Sequence, residues 1–260
     1  MRVRFTGDTS PEFRNFAFAA LKAVTHAAGL QIRDVTHEPE AEKLANLEYK
    51  IFGQYDLTDN QPCQTRFRKW KDWVYESVII ETRPQDVYKC SYHEAMHAMG
   101  IVGHPRGRTV LSYWRTTNDA LGEDDAVLLK GWYSPRMKPG FTAFEALVVL
   151  TDEALKASKQ AIQEGNAMVA REAFLAEKLK EMERYAEGDG EVPLILIRTG
   201  KTSPKAIADG KILMAYYLAS AHREGIGTPK DNKQFIRWLE IAAKGGNAEA
   251  KRRLDAIKDR

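Results

Sequence analysis

Three histidines fall within twelve residues of this chain, and their spacing limits the fold more than any other feature. The segment reads Cys90-Ser-Tyr-His93-Glu94-Ala-Met-His97-Ala-Met-Gly100-Ile-Val-Gly-His104. Because His93 and His97 are four residues apart, a helix places both imidazoles on one face, one turn apart. Gly100 can adopt a positive φ, which ends the helix and returns the chain so that His104 can be a third ligand. We therefore predict a helix over about 91–100 that carries a three-histidine metal site.

The chemistry of these side chains predicts zinc as the cofactor. Three neutral imidazoles leave a fourth position for water, which is the pattern of a catalytic rather than a structural zinc site. Glu94 lies about 100° around the helix from His93, beside the metal, where a general base for bound water belongs. It would take a proton from that water and pass it to a leaving amine. The pentapeptide His-Glu-x-x-His also occurs in helices that bind nothing, and it is Gly100 and His104 that favour the metal.

The order of predicted elements divides the chain into a mixed α/β part and a helical part. The first 140 residues predict strands over 3–5, 31–35, 47–52 and 73–82, helices over 12–29 and 91–100, and a long polar loop over 53–70. From 141 to about 187, Ala, Glu, Lys, Leu and Met dominate, which predicts long helices. Residues 204–257 are again predicted to be helical, with a break over 224–231.

Composition excludes several classes of function. The 260 residues include 39 Lys and Arg against 36 Asp and Glu, so a net charge of +3 gives no case for binding nucleic acid. No apolar run approaches the roughly 18 residues of a membrane-spanning helix. The first seven residues, Met1-Arg-Val-Arg-Phe-Thr-Gly, lack the apolar core of a secretory signal.

The histidine segment resembles the signature of the metzincin metalloproteases, His-Glu-x-x-His-x-x-Gly-x-x-His. The present spacing is one residue longer because Gly103 precedes His104, and the resemblance implies that His104 is the third zinc ligand. The segment Thr109-Val-Leu111-Ser-Tyr113 looks like the family's turn beneath the metal, with Leu111 in place of the usual methionine. The resemblance implies that Tyr113 helps to bind the metal or to stabilise an oxyanion; an ordinary half-buried aromatic is the alternative.

Two longer stretches extend the resemblance. The segment 123–133 resembles the closing helix of metzincin catalytic domains, and residues 3–142 resemble an uncharacterised bacterial family with many exported members. The resemblance implies an α+β, zincin-like catalytic domain over 1–142 and an exported bacterial protein, although the N-terminal residues predict no leader. The natural compartment therefore stays open.

The two cysteines, Cys63 and Cys90, have three alternative states. A disulfide would tie the long loop to the start of the histidine helix, and two buried thiols are the second alternative. Because Cys90 is three residues before His93, a thiolate ligand is the third. His26 and His37 have no partners at ligand spacing and are interpreted as surface or packing residues.

Residues 213–254 resemble one Sel-one-like repeat of the tetratricopeptide type. The matching segments are Glu224-Gly225-Ile-Gly227-Thr-Pro-Lys-Asp231 and Trp238-Leu-Glu-Ile-Ala242-Ala243-Lys-Gly-Gly246. His222 departs from the family, which has an aromatic residue there. We predict a helical connector over 143–200 and the repeat over 201–260, acting either as a surface for a protein partner or as a brace for the catalytic domain.

Three functional hypotheses follow. The first is a zinc-dependent metallopeptidase acting on a peptide or protein, in which His93, His97 and His104 bind zinc, Glu94 is the base and Tyr113 is an auxiliary. The second is a catalytically silent zincin-fold module that engages a partner through residues 201–260. The third is hydrolysis of another amide, because zinc and a glutamate do not by themselves select a peptide bond.

Overall fold

The protein forms two compact units, Met1–Pro135 and Arg136–Arg260. The structure, a computed structural model, describes residues 1–8, 10–52, 61–71, 74–104, 109–112, 120–158, 167–191 and 203–258. The described elements of the first unit are strands and helices, and those of the second are all helices. This confirms the predicted combination of an α and β region followed by a helical region.

A five-stranded mixed sheet forms the framework of the first unit. Its strands are β1 (Arg2–Gly7), β2 (Arg33–Asp34), β3 (Leu47–Ile51), β4 (Cys63–Lys71) and β5 (Val74–Thr82), in the order β2-β1-β3-β5-β4. Neighbouring strands are parallel except for β4, which lies at one edge and runs antiparallel to β5. In β1 and β3, buried apolar residues alternate with polar residues that are partly exposed, so one face of the sheet carries the core.

Helices pack on this sheet and enclose one core. They are α1 (Pro11–Ala27), α2 (Ala41–Leu44), α3 (Val87–Ala98) and α4 (Glu123–Trp132). The largest fully buried apolar side chains of this core are Phe5, Leu21, Leu47, Tyr49, Ile51, Ile80, Met96, Leu111 and Leu129. A short 3₁₀ turn, Pro84–Asp86, connects β5 to α3, so the histidine helix begins directly after a central strand. α3 begins at Val87, directly after this turn, and ends at Ala98, whereas the sequence predicts a helix over about 91–100.

The predicted loop over 53–70 is wrong where the structure has β4. From residue 65 to residue 68, half-buried positions (65 and 67) alternate with exposed ones (Arg66 and Arg68), which is the period of two of a strand with one face toward solvent. Its polar outer face gives it the composition of a loop. The predicted strand over 31–35 is reduced to the two residues of β2. Residues 53–60 lie outside the described part of the chain.

The second unit is a set of packed helices with its own core. They are α5 (Ala143–Ala157), α6 (Ala167–Glu187), α7 (Pro204–Glu224), α8 (Asn232–Lys244) and α9 (Ala248–Lys258). The break predicted over 224–231 separates α7 from α8. Gly227 lies there with φ 71°, and an added Cβ would be 2.5 Å from the Leu175 carbonyl oxygen, so the connection approaches α6 closely. Buried Leu175, Leu218, Trp238 and Leu239 form the centre of this core.

No described helix combines the length and the apolar composition needed to cross a membrane.

Candidate metal centre

The imidazoles of His93, His97 and His104 meet at one point beside the sheet. The Nε2 atoms of His93 and His97 are 3.1 Å apart, and each is 3.2 Å from Nε2 of His104. Among the residues that the structure describes, these three histidines are a group that could hold one metal ion, because their ligand atoms all lie within 4.8 Å of one another. His93 and His97 come from consecutive turns of α3. Gly100, with φ 82°, ends that helix and turns the chain toward His104.

Backbone carbonyls fix the orientation of two of the three rings. Nδ1 of His93 lies 2.9 Å from the Val110 carbonyl oxygen, and Nδ1 of His97 lies 2.8 Å from that of Ile101. A carbonyl can only accept, so each Nδ1 carries the proton and donates it. The Nε2 atoms therefore present lone pairs to the centre, as metal-ligating histidines do.

Burial favours the neutral form of the His93 and His97 rings, which is the form that binds a metal. It lowers the pKa of His93 to about 4, assisted by the positive charge that His97 would carry. Burial also lowers the pKa of His97, against the opposing hydrogen bond to Ile101. Neutral imidazole is the ligand form, so neither ring has to lose a proton near pH 7 when a metal binds.

A turn over Thr109–Ser112 supplies the carbonyl that holds His93. The Ser112 N–H closes the turn by donating to the Thr109 carbonyl oxygen over 3.0 Å. The buried carboxylate of Asp125, at the start of α4, holds this turn: it accepts from the Thr109 hydroxyl and, over 3.2 Å, from the Val110 N–H. It also accepts from the Gly122 N–H over 3.0 Å. Asp125 and His93 thus bind the N–H and the carbonyl group of the same residue, Val110, so Asp125 acts on His93 through the Val110 backbone.

The Glu94 carboxylate is buried, and it makes a hydrogen bond to β4. Only 3% of Glu94 is exposed. Its Oε2 accepts a hydrogen bond of 2.7 Å from the Thr65 hydroxyl. Burial raises the pKa of Glu94 to about 7, and the Thr65 hydrogen bond opposes that rise. A carboxyl group with a pKa near the working pH is suited to accept and return a proton.

The donor set fits a tetrahedral zinc ion. At a Zn–N distance of about 2.05 Å, tetrahedral geometry separates two nitrogen ligands by about 3.3 Å. The separations of 3.1, 3.2 and 3.2 Å in this structure are close to that value. Imidazole nitrogen is also a donor that zinc prefers. The residues present therefore fit the predicted cofactor in both geometry and chemistry.

The other predicted residues have different outcomes. Tyr113 lies outside the described residues, and its auxiliary role stays a prediction. Cys63 and Cys90 form a disulfide, the first of the three alternatives. His37 contacts the Arg14 guanidinium through Nε2 over 2.9 Å, away from the metal centre. His26 lies in the last turn of α1.

Sequence reasoning missed two residues that contact the site or the turn beside it. Thr65 falls in the predicted loop over 53–70, and the alternation of half-buried and exposed positions over 65–68 is the signal that could have identified the strand. Asp125 lies three residues after Gly122 at a helix start, where an acidic side chain often caps the helix. The position of Asp125 predicts its hydrogen bond to the Gly122 N–H, but nothing in the sequence predicts its hydrogen bonds to Thr109 and Val110.

No family model matches the chain, and neither does a curated protein or a solved structure.

Proposed function

We propose that this protein is a zinc-dependent peptidase of the metzincin-like, zincin class. The observation that carries the proposal is the convergence of three imidazole Nε2 atoms within 3.2 Å of one another, two of them on rings oriented by backbone carbonyls. The buried Glu94 follows the ligand His93 directly on the same helix. His93, His97 and His104 hold the metal. When it is bound, zinc lowers the pKa of water and polarises a carbonyl group.

Side chains and backbone groups of the chain carry out the proton transfers and hold the ligands in place. Oε2 of Glu94 accepts from Thr65, which leaves Oε1 to take the proton of the attacking water. The same carboxyl group returns that proton to the departing amine nitrogen. The carbonyl oxygens of Val110 and Ile101 hold the two ligand rings in the required tautomer throughout.

A peptide is the favoured substrate class because an edge strand borders the site. β4 is at the end of the sheet, and its Thr65 contacts Glu94. An extended peptide can add to such an edge by backbone hydrogen bonds, which bring a scissile peptide group close to the metal centre without a deep pocket. A small amide lacks the length for this pairing. Hydrolysis of another amide is therefore the less favoured form of the same chemistry.

The proposal for the second unit is separate. We propose that the second unit, Arg136–Arg260, includes the Sel-one-like repeat and that residues 201–260 form a surface that binds a protein partner. Its support is a self-contained core and the Asp231 side chain, which caps α8 by accepting from the N–H groups of Lys233 and Gln234.

Glu94→Gln tests the proposed activity. Gln keeps the size of the side chain but cannot take a proton, so zinc content stays at one equivalent and turnover of an unbiased peptide library falls by about 100-fold or more. Asp124→Asn, an exposed change on α4, is the matched control and keeps both values. Equal turnover by wild type and Glu94→Gln would reject the base. Bound zinc with no turnover by the wild type would support the silent module.

A further inference from the structure

The contact between β4 and α3 contains two links of different kinds, side by side. The first is the Cys63–Cys90 disulfide, and the second is the hydrogen bond from Thr65 to Glu94. Each link joins one residue of the edge strand to one residue of the histidine helix. We call these four residues the β4–α3 clamp.

The spacing of the two links matches the geometry of the two elements. From Cys63 to Thr65 is two residues, so both side chains point to the same face of the strand and lie about 6.6 Å apart along it. From Cys90 to Glu94 is four residues, so both lie on one face of the helix and about 6 Å apart along it. Because these rises agree, the disulfide sets a register of helix against strand in which the Thr65 hydroxyl faces the Glu94 side chain.

Thr65 is itself held on two sides. Its backbone lies in the antiparallel ladder opposite Ile80 of β5, and the disulfide anchors the strand two residues earlier. Its hydroxyl lies 2.7 Å from Glu94 Oε2 and 3.2 Å from the Glu94 backbone carbonyl oxygen. The hydroxyl has one proton, and the shorter distance identifies the carboxylate as the principal acceptor.

We propose that Thr65 is a positioning residue that orients the Glu94 carboxylate toward the water-binding side of the metal centre, and that the Cys63–Cys90 disulfide holds Thr65 in place for this task. The proposal rests on the proposed peptidase function. A glutamate side chain has three rotatable torsions, and a base must be held within roughly 0.5 Å of its productive position. A bond to one carboxylate oxygen from a fixed strand removes that freedom and leaves the other oxygen available.

Removing only the hydroxyl tests the first part of the proposal. Thr65→Val keeps the shape of the side chain, and Thr65→Ser keeps the hydroxyl. We expect Thr65→Val to bind one equivalent of zinc, to lower kcat by about tenfold or more and to leave KM within about twofold. Thr65→Ser should restore kcat to within about threefold of wild type. Ser77→Ala is the matched control, because it removes a hydroxyl of β5 that donates to the Arg68 carbonyl oxygen.

A double-mutant cycle on unfolding tests the same contact without any activity. Thr65→Val should change the unfolding equilibrium constant by about tenfold in the wild-type background and by less than about threefold in Glu94→Ala, where the carboxylate is absent and only the longer contact to the residue-94 backbone carbonyl remains. Equal changes in the two backgrounds would overturn the proposal, as would wild-type kcat in Thr65→Val or failure of Thr65→Ser to restore it. If the wild type turns over no peptide, the proposed function fails, and this cycle still decides whether Thr65 and Glu94 are coupled.

Removing the disulfide tests the second part. In the Cys63→Ser/Cys90→Ser protein, the register is no longer fixed, so we expect the Thr65→Val effect on the unfolding constant to fall below about threefold. An effect as large as in the disulfide-bonded protein would overturn the role assigned to the disulfide. If the double variant does not fold in buffer alone, the same comparison is made in trimethylamine N-oxide, an osmolyte that stabilises the folded state without restoring the disulfide.

Discussion

At the scale of single residues, the candidate metal centre depends on groups that carry no sequence signal. The spacing of His93, His97 and His104 predicts the ligands because helical geometry relates residues four apart. The acceptors for the two Nδ1 protons are the carbonyl groups of Val110 and Ile101. Every residue has such a carbonyl, so only the folded chain identifies which ones are used.

Asp125→Asn is expected to weaken zinc binding by about tenfold or more. Asp125 accepts from Thr109, Val110 and Gly122, and an amide loses one of its two acceptor oxygens and adds two N–H donors. The Thr109–Ser112 turn then loses its support, and with it the carbonyl that orients His93. Competition with a chromogenic chelator measures the zinc dissociation constant.

The control for this change is Asp124→Asn, because Asp124 is the exposed neighbour on the same helix and carries the same charge. A zinc dissociation constant within twofold of wild type in Asp125→Asn would contradict the proposed action of Asp125 through Val110.

At the scale of elements, sequence patterns predicted the apolar strands and the longer helices but missed the edge strand. β3 and β5 were predicted because their apolar residues are continuous or alternate, and both lie inside the sheet. β4 has one face exposed and carries Arg66 and Arg68 there, so its composition matches a loop. Because Thr65 lies on this unpredicted strand and contacts Glu94, one contact of the candidate site is also missing from the sequence prediction.

Loss of the disulfide is expected to lower the free energy of unfolding by about 3.5 kcal/mol. The cystine closes a loop between residues 27 apart, and closing a loop of that length removes about that much chain entropy from the unfolded state. Urea titration of wild type and Cys63→Ser/Cys90→Ser measures the difference. A loss below about 1 kcal/mol would contradict a stabilising role for this link between β4 and α3.

At the scale of the whole molecule, the two units have separate cores and different composition. The change to Ala-, Glu- and Lys-rich sequence after residue 140 predicted the helical region, and the structure divides the chain between Pro135 and Arg136. The order of strands in the sheet was not predicted, because pairing joins residues distant in sequence. Thr65 and Ile80, or Leu47 and Val78, become neighbours only through the tertiary fold.

Chelation of the metal is expected to destabilise only the first unit, since the three histidines all belong to it. Differential scanning calorimetry should show two transitions, and EDTA should lower the midpoint of one of them by about 10 °C. Leu239→Ala identifies the other transition, because Leu239 is fully buried in the helical core and its truncation costs about 2–5 kcal/mol. An EDTA shift in the Leu239-sensitive transition would contradict this assignment.

The central claim is that His93, His97 and His104 bind one zinc ion, and elemental analysis of the purified protein tests it most directly. Wild-type protein purified without added zinc should contain about one equivalent, and His97→Ala should contain less than about a tenth, since two imidazoles hold zinc far more weakly than three. His37→Ala, which removes a histidine away from the centre, should match wild type. Wild-type protein with less than about a tenth of an equivalent, or His97→Ala with the wild-type amount, would contradict the claim.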